Sequence, residues 1–291
     1  MKIQFSIVFA TLFICCFPGS EIAGQTPGNE RKANNAAASS DAVSTATSPT
    51  KQNEFNWRGK IAAGGLGAIV AISGDIRIEI IEEGEFEVVA LKQGNEKEFD
   101  RVRIQVKESA DGIKICAAYL VMEEQGKYEC PATEGSKSMA IDGDRELSLG
   151  YENGKARTFQ LADVRVQFRA RIPRGTRLAA RTLRGNVEAE WLIKGAPSQA
   201  VNSGGRVDRL TTNSFSPIDL SSLEGNVSLT LPNEINARVQ LGTGSGEIAT
   251  DFPVTILGGF RGKGLEGNLG QGGPMITLNT LSGNVEIRRA R

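Results

Sequence analysis

Gly185-Asn186-Val187, Gly225-Asn226-Val227 and Gly283-Asn284-Val285 are copies of one short phrase: a glycine, an asparagine, and a valine that opens an apolar run. Gly205-Arg206-Val207, Gly246-Glu247-Ile248 and Gly267-Asn268-Leu269 are variants, and Gly74-Asp75-Ile76 is an earlier relative. From Gly185 to Gly283 the glycines stand 20, 20, 21, 21 and 16 residues apart. Glycine reaches positive φ without steric cost, and Asn or Asp tolerates the same region, so each phrase reads as a turn. About 20 residues hold two or three short strands, and units of that size hide their apolar faces only against neighbours. The expected fold is all-β: a β-solenoid-like stack of short strands and Gly-Asn turns, or a stacked rack of hairpins.

Outward from these turns the same class of structure continues. Ile76, Ile78 and Ile80 alternate with Asp75, Arg77 and Glu79; Val102, Ile104 and Val106 alternate with Arg103, Gln105 and Lys107. Val164, Val166, Phe168, Ala170 and Ile172 alternate with Arg165, Gln167, Arg169 and Arg171. Period two is the mark of a strand with one face buried and one in water. No long stretch carries a helical period.

The N-terminus has a different character. An apolar run from Phe5 to Phe17 follows Lys2 and ends at Pro18-Gly19. It is too short to span ~30 Å of hydrocarbon comfortably, and Ile22-Ala23-Gly24 offers a cut before Gln25. Residues 1–24 therefore read as a secretory signal, with a retained anchor as the other reading. Cys15 and Cys16 raise lipidation, but Ile14 stands where a small residue is expected. Residues 25–54 are rich in Ala, Ser, Thr and Asn, too poor in apolar surface to offset ordering entropy, and read as a flexible linker to a β domain over 55–291. Cleavage would leave Cys116 and Cys130, which in an oxidising compartment most simply form one disulfide. Closing that loop restricts the unfolded chain by roughly 3 kcal/mol.

Composition narrows the function. The 291 residues contain no histidine, which removes Ser-His-Asp and Cys-His catalysis and His-ligated metals. Lys plus Arg and Asp plus Glu are both 34, so nucleic-acid binding through bulk positive charge is not expected. Gly262-Lys263-Gly264-Leu265-Glu266-Gly267 matches G-x-G-x-x-G, yet a dinucleotide site needs a strand before and a helix after, and strands with glycine turns surround it. Ser48-Pro49-Thr50-Lys51 lies in the linker, Asp142-Gly143-Asp144 has too few carboxylates for calcium, and Val227 in the Asn226-Val227-Ser228 sequon is expected to point inward. No cofactor is expected.

Arginine density is the remaining signal. Seven arginines lie between Arg165 and Arg184 with no acid among them, and period two puts Arg165, Arg169 and Arg171 on one outward face. Such a row could hold phosphates or carboxylates of an envelope polymer. The favoured reading is pairing within the fold, because Asp75–Glu87 carries six acids against one arginine.

The chain resembles the bacterial DUF4097 family of adhesin-like β-strand-repeat proteins. The likeness rests on Asp163-Val164-Arg165-Val166-Gln167-Phe168 leading to Ile172-Pro173-Arg174-Gly175, on Thr182-Leu183-Arg184-Gly185-Asn186-Val187, and on Leu231-Pro232-Asn233. Thr250-Asp251-Phe252-Pro253, Gly272-Gly273-Pro274 and the closing Leu281-Ser282-Gly283-Asn284-Val285-Glu286-Ile287 extend it from about residue 57 to the end. Cys116-Ala117-Ala118-Tyr119 with Cys130-Pro131 is similar to a cysteine-bearing insertion in some exported members. The resemblance implies an extracytoplasmic, non-enzymatic β-repeat domain. The expected role is an adhesin-like interaction or structural module of the cell envelope, with an envelope protein or anionic polymer as partner and no transmembrane domain after signal cleavage. Two other readings are a polysaccharide-acting enzyme on a stacked-β fold, for which no carboxylate pair is nominated, and an envelope-stress sensing partner.

Overall fold

The computed structural model describes residues 53–122, 124–131, 136–142, 146–151, 156–191, 215–257 and 264–290. The expected signal, most of the linker, Gly205-Arg206-Val207, Ser48-Pro49-Thr50-Lys51 and Gly143-Asp144 lie outside these residues. The described residues are almost entirely strands, arranged in two mixed sheets, with a single 3-10 helix at Glu96–Arg101.

The first sheet has eight described strands. Its order is Glu54–Gly59, Phe86–Gly94, Val164–Pro173, Ile76–Ile81, Val187–Trp191, Val227–Leu231, Val285–Arg289 and Ile248–Thr250. The first three pair antiparallel, and every pairing from Val164–Pro173 onward is parallel. In the second sheet a parallel centre runs Gly112–Val121, Leu66–Val70, Arg177–Arg184, Ile218–Glu224, Met275–Ser282 and Ala237–Ser245. Antiparallel strands flank it, Gly264–Leu269 and Val254–Ile256 at one end and Ala156–Gln160, Glu146–Tyr151 and Ser136–Asp142 at the other. Val102–Ser109 and Tyr128–Glu129 also pair with Gly112–Val121.

Where a glycine phrase makes a corner, it joins a strand of the second sheet to a strand of the first. Five corners, at Gly74, Gly185, Gly225, Gly283 and Gly246, stack so that both flanking strands pair in parallel with the next unit. Inward side chains of both sheets form one buried cluster, including Ile76, Val187, Val227 and Val285 from the first sheet and Ala180, Leu220, Leu278 and Leu241 from the second.

The corners are held by a repeated set of bonds. Thr182, Ser222, Thr280 and Thr243, each three residues before its glycine, donate a hydroxyl to the glycine carbonyl of the preceding corner at 3.0, 2.8, 2.8 and 2.8 Å. The amides of Asn186, Asn226, Asn284 and Glu247 donate to the side-chain oxygens of Asp75, Asn186, Asn226 and Asn284 at 2.8, 2.9, 2.8 and 3.0 Å. This asparagine relay gives the amide at each tight bend a partner from the neighbouring corner. It ends at Glu247, whose charge blunts the outermost corner, beside the edge strand Ile248–Thr250.

Two features depart from an evenly repeating stack. The last corner in sequence, Gly283, is inserted between those of Gly225 and Gly246, so spatial order does not follow chain order. Gly267 is not a corner at all: it lies inside the antiparallel strand Gly264–Leu269, where a Cβ would meet Val254 Cγ1 at 2.4 Å and the Thr255 carbonyl oxygen at 2.7 Å. Glycine is needed there for close approach of the neighbouring strand. The same strand shows that the G-x-G-x-x-G string leads into β structure.

Cys116 and Cys130 form a disulfide, with Cα atoms 5.7 Å apart. It packs with Val70, Ala118 and Tyr128 on the outer side of the second sheet, and Arg103 stacks 4.1 Å over the Tyr128 ring. No described helix is long and apolar enough to cross a membrane.

Candidate functional site

Alternation along Val164–Pro173 follows the sequence: Val164, Val166, Phe168, Ala170 and Ile172 are buried, while Arg165, Arg169 and Arg171 emerge on the outer face of the first sheet. The structure does not join these three arginines into one site. Arg171 lies in a row of alternating charge, 3.2 Å from Glu79 and 3.7 Å from Glu87, and Glu87 also meets Arg58 at 3.0 Å. Arg169 sits in register with Arg77, which bonds Glu188 at 3.3 Å. Arg174 meets Glu82 at 2.9 Å and lies 5.6 Å over the Trp191 ring, Arg177 donates to the Gly64 carbonyl, Arg181 meets Asp219 at 2.7 Å, and Arg184 approaches Glu224 at 3.8 Å. Arg165 and Arg169 are the two of the seven whose side chains make neither an ion pair nor a hydrogen bond among the described residues.

Arg165 stands apart because it lines a cleft of about 710 Å³. The cleft opens where the first corners meet the start of Val164–Pro173, and its volume falls within the ~300–1,000 Å³ typical of small-ligand sites. Several segments build it. Phe86–Gly94 supplies Gln93, in register with Arg165; Val164–Pro173 also supplies Gln167; and the end of Ala156–Gln160 supplies Gln160. The 3-10 helix brings Glu98 and Arg101, and it is fixed at its start by Asn95, which accepts from the Lys97 amide, and along its length by Lys92, whose ammonium donates to the Phe99 carbonyl at 2.8 Å. Burial lowers the Lys92 pKa, against the opposing pull of Asp100.

The carboxylates of the cleft are largely engaged. Asp75 accepts the Asn186 amide at 2.8 Å. Glu98 accepts the Asp163 amide at 2.9 Å and lies 3.7 Å from Arg101. Glu224 faces Arg184. Asp163 is exposed, its own carbonyl accepting the Asn95 amide at 2.9 Å.

Neutral polar groups are not engaged in this way. The side-chain amides of Gln93, Gln160 and Gln167 have no hydrogen-bond partner among the described residues. Beneath them Tyr119 is 1% exposed, and its hydroxyl, against the backbone of Ile72 and Ser73, makes no hydrogen bond of normal geometry. Burial raises the Tyr119 pKa far above its ordinary value, so the phenol stays protonated. Ile72, Leu161 and Val164 complete the floor as members of the main core. No three Cys, Asp or Glu side chains gather to hold a metal among the described residues.

Sequence reasoning nominated Arg165 but not its neighbours. Period two assigns a face to each residue and leaves the neighbouring strand open, so Gln93, Tyr119 and Gln160 had no local signal. The hydroxyl residue three positions before the corner glycines at 185, 225, 246 and 283 was a legible signal that the glycine phrase alone does not include.

No family model matches this chain, and no curated protein matches it. It is similar in structure to a "putative cell adhesion protein" from Clostridium sporogenes ATCC 15579, at 10% identity and a TM-score of 0.39, over 81% of this chain and 100% of that one. A "putative adhesin" from Bacteroides fragilis NCTC 9343 overlaps 83% of this chain and 99% of its own, at 8% identity and a TM-score of 0.18. Overlap at that level assigns neither a family nor a ligand.

Proposed function

We propose that this chain is an exported, adhesin-like β-repeat module of the bacterial cell envelope that binds its partner without chemical turnover. The observation that carries the reading is the cleft beside the corner stack. Its Asp75, Glu98 and Glu224 carboxylates are each held by a backbone amide or an arginine, while Arg165 and the neutral amides are left to meet a ligand. Two-carboxylate hydrolysis needs a pair of acids flanking the scissile bond, and here Asp163 is the one without such a partner. The Cys116–Cys130 disulfide supports a location outside the reducing cytoplasm.

On this reading residues 1–24 are a cleaved leader and residues 25–54 a tether. The parallel corners are the working part of a solenoid-like domain of the DUF4097 type. Stacked corners locked by side-chain bonds hold the strands that carry the cleft residues in place, which is what a binding surface requires. Fractionation of the native host tests the reading. The mature chain is expected outside the cytoplasm, starting near Gln25, with Cys116 and Cys130 oxidised and with saturable retention on isolated envelopes. Full-length reduced chain in the cytosol would overturn it.

A further inference from the structure

Resting on the binding role just proposed, we propose that the cleft lined by Gln93, Gln160, Arg165 and Gln167 binds an anionic saccharide. Its carboxylate faces Arg165, and its hydroxyls exchange hydrogen bonds with the three glutamine amides.

The chemistry of the lining selects this ligand class. A glutamine amide offers two donors and an acceptor, the inventory that matches a sugar hydroxyl, itself both donor and acceptor. Three such amides have no internal partner. Arg165 has no acid within ion-pair distance among the described residues, unlike Arg101 and Arg184 on the same wall. Its guanidinium fork fits a carboxylate in bidentate fashion.

A peptide fits less well. Peptides dock by adding a strand to an open edge or by placing apolar side chains in pockets. Val164–Pro173 is already paired on both sides, with Phe86–Gly94 and Ile76–Ile81. The apolar lining residues Ile72, Leu161 and Val164 are consumed by the core and leave no open anchor pocket.

The test uses the full, oxidised chain and calorimetric titration with three probes: a galacturonic acid hexamer, a neutral glucose hexamer and hexaglutamate. The uronate hexamer is expected to bind, with affinity falling at least tenfold in Arg165→Gln and between 50 and 300 mM salt. Arg169→Gln, on the same strand and face but outside the cleft, should change affinity less than twofold. Thermal melts should be unchanged in both variants, since both side chains are exposed. Failure of the uronate to bind, equal loss in Arg165→Gln and Arg169→Gln, or hexaglutamate binding as tightly as the uronate would each overturn the assignment. Envelope retention of the unmodified chain, measured in parallel, separates the two readings: if it persists while uronate binding fails, the cleft assignment alone falls.

Discussion

Replacing Gly225 with alanine tests the corner stack at its centre. Gly225 has φ +154°, and a Cβ there would lie 2.0 Å from the Gly185 carbonyl oxygen and 2.5 Å from its carbon. Backbone cannot swing aside as a flexible side chain can, so the two corners must separate. Two terms follow. An unfavourable φ/ψ region costs about 1–3 kcal/mol. Separation also weakens the Ser222 hydroxyl bond to Gly185 and the Asn226 amide bond to Asn186, each worth about 0.5–1.5 kcal/mol net. Together the loss is on the order of 2–6 kcal/mol, a large share of the ~5–15 kcal/mol that stabilises a typical domain. Gly175→Ala is the control: its φ is +86°, but nothing lies within 4 Å of the added Cβ, so only the conformational cost of about 1–2 kcal/mol applies. Equilibrium urea unfolding of the full chain measures both. Equal midpoint shifts for the two variants would refute the claim that carbonyl contact between stacked corners makes glycine obligatory.

Three further outcomes are expected. Thr280→Val should cost about 1–3 kcal/mol by leaving the Gly225 carbonyl short of its donor, while Thr280→Ser should recover most of it; urea midpoints decide. Arg171→Glu places three acids side by side with Glu79 and Glu87 and should destabilise by about 1 kcal/mol, whereas Arg169→Glu relieves its like-charge neighbour Arg77 and should be neutral or slightly stabilising in thermal melts. Hydrogen bonds from Lys127 and then Arg157 hold the Glu124 carboxyl below its ordinary pKa, so the contribution of this cluster is present above the ordinary glutamate range and is lost as pH falls through the lowered pKa. The protection of the Lys127 amide, which donates to the Glu124 carbonyl, measured against its intrinsic exchange rate at each pH, should fall across that acid window and stay level between pH 6 and 8.

Much of the fold was legible because its signals are local. Alternation at Ile76–Ile80, Val102–Val106 and Val164–Ile172 identified strands and their buried faces, and the glycine phrases at residues 74, 185, 225, 246 and 283 identified corners. Pairing order was not legible. The corners at Gly225 and Gly283 carry the same asparagine donor and acceptor, so either can follow the other in the stack, and only Glu247 marks the Gly246 corner as the last. Placing Met275–Arg289 between older neighbours depends on how the whole chain packs. Gly267 shows the complementary failure: the same glycine-asparagine pair serves strand approach in one context and a bend in another. The cleft was the least legible part, since Gln93, Tyr119, Gln160 and Arg165 meet only through register between strands distant in sequence.

The proposed retention on an envelope glycan without turnover is open to direct measurement. The direct measurement incubates the purified full chain with isolated envelopes of its native host, then quantifies bound protein and released sugar in the same samples. Binding should be saturable, salt-sensitive and weakened by Arg165→Gln, with no new reducing ends or unsaturated sugar products at any time. Progressive release of soluble saccharide, or binding that neither saturates nor responds to salt, would contradict it.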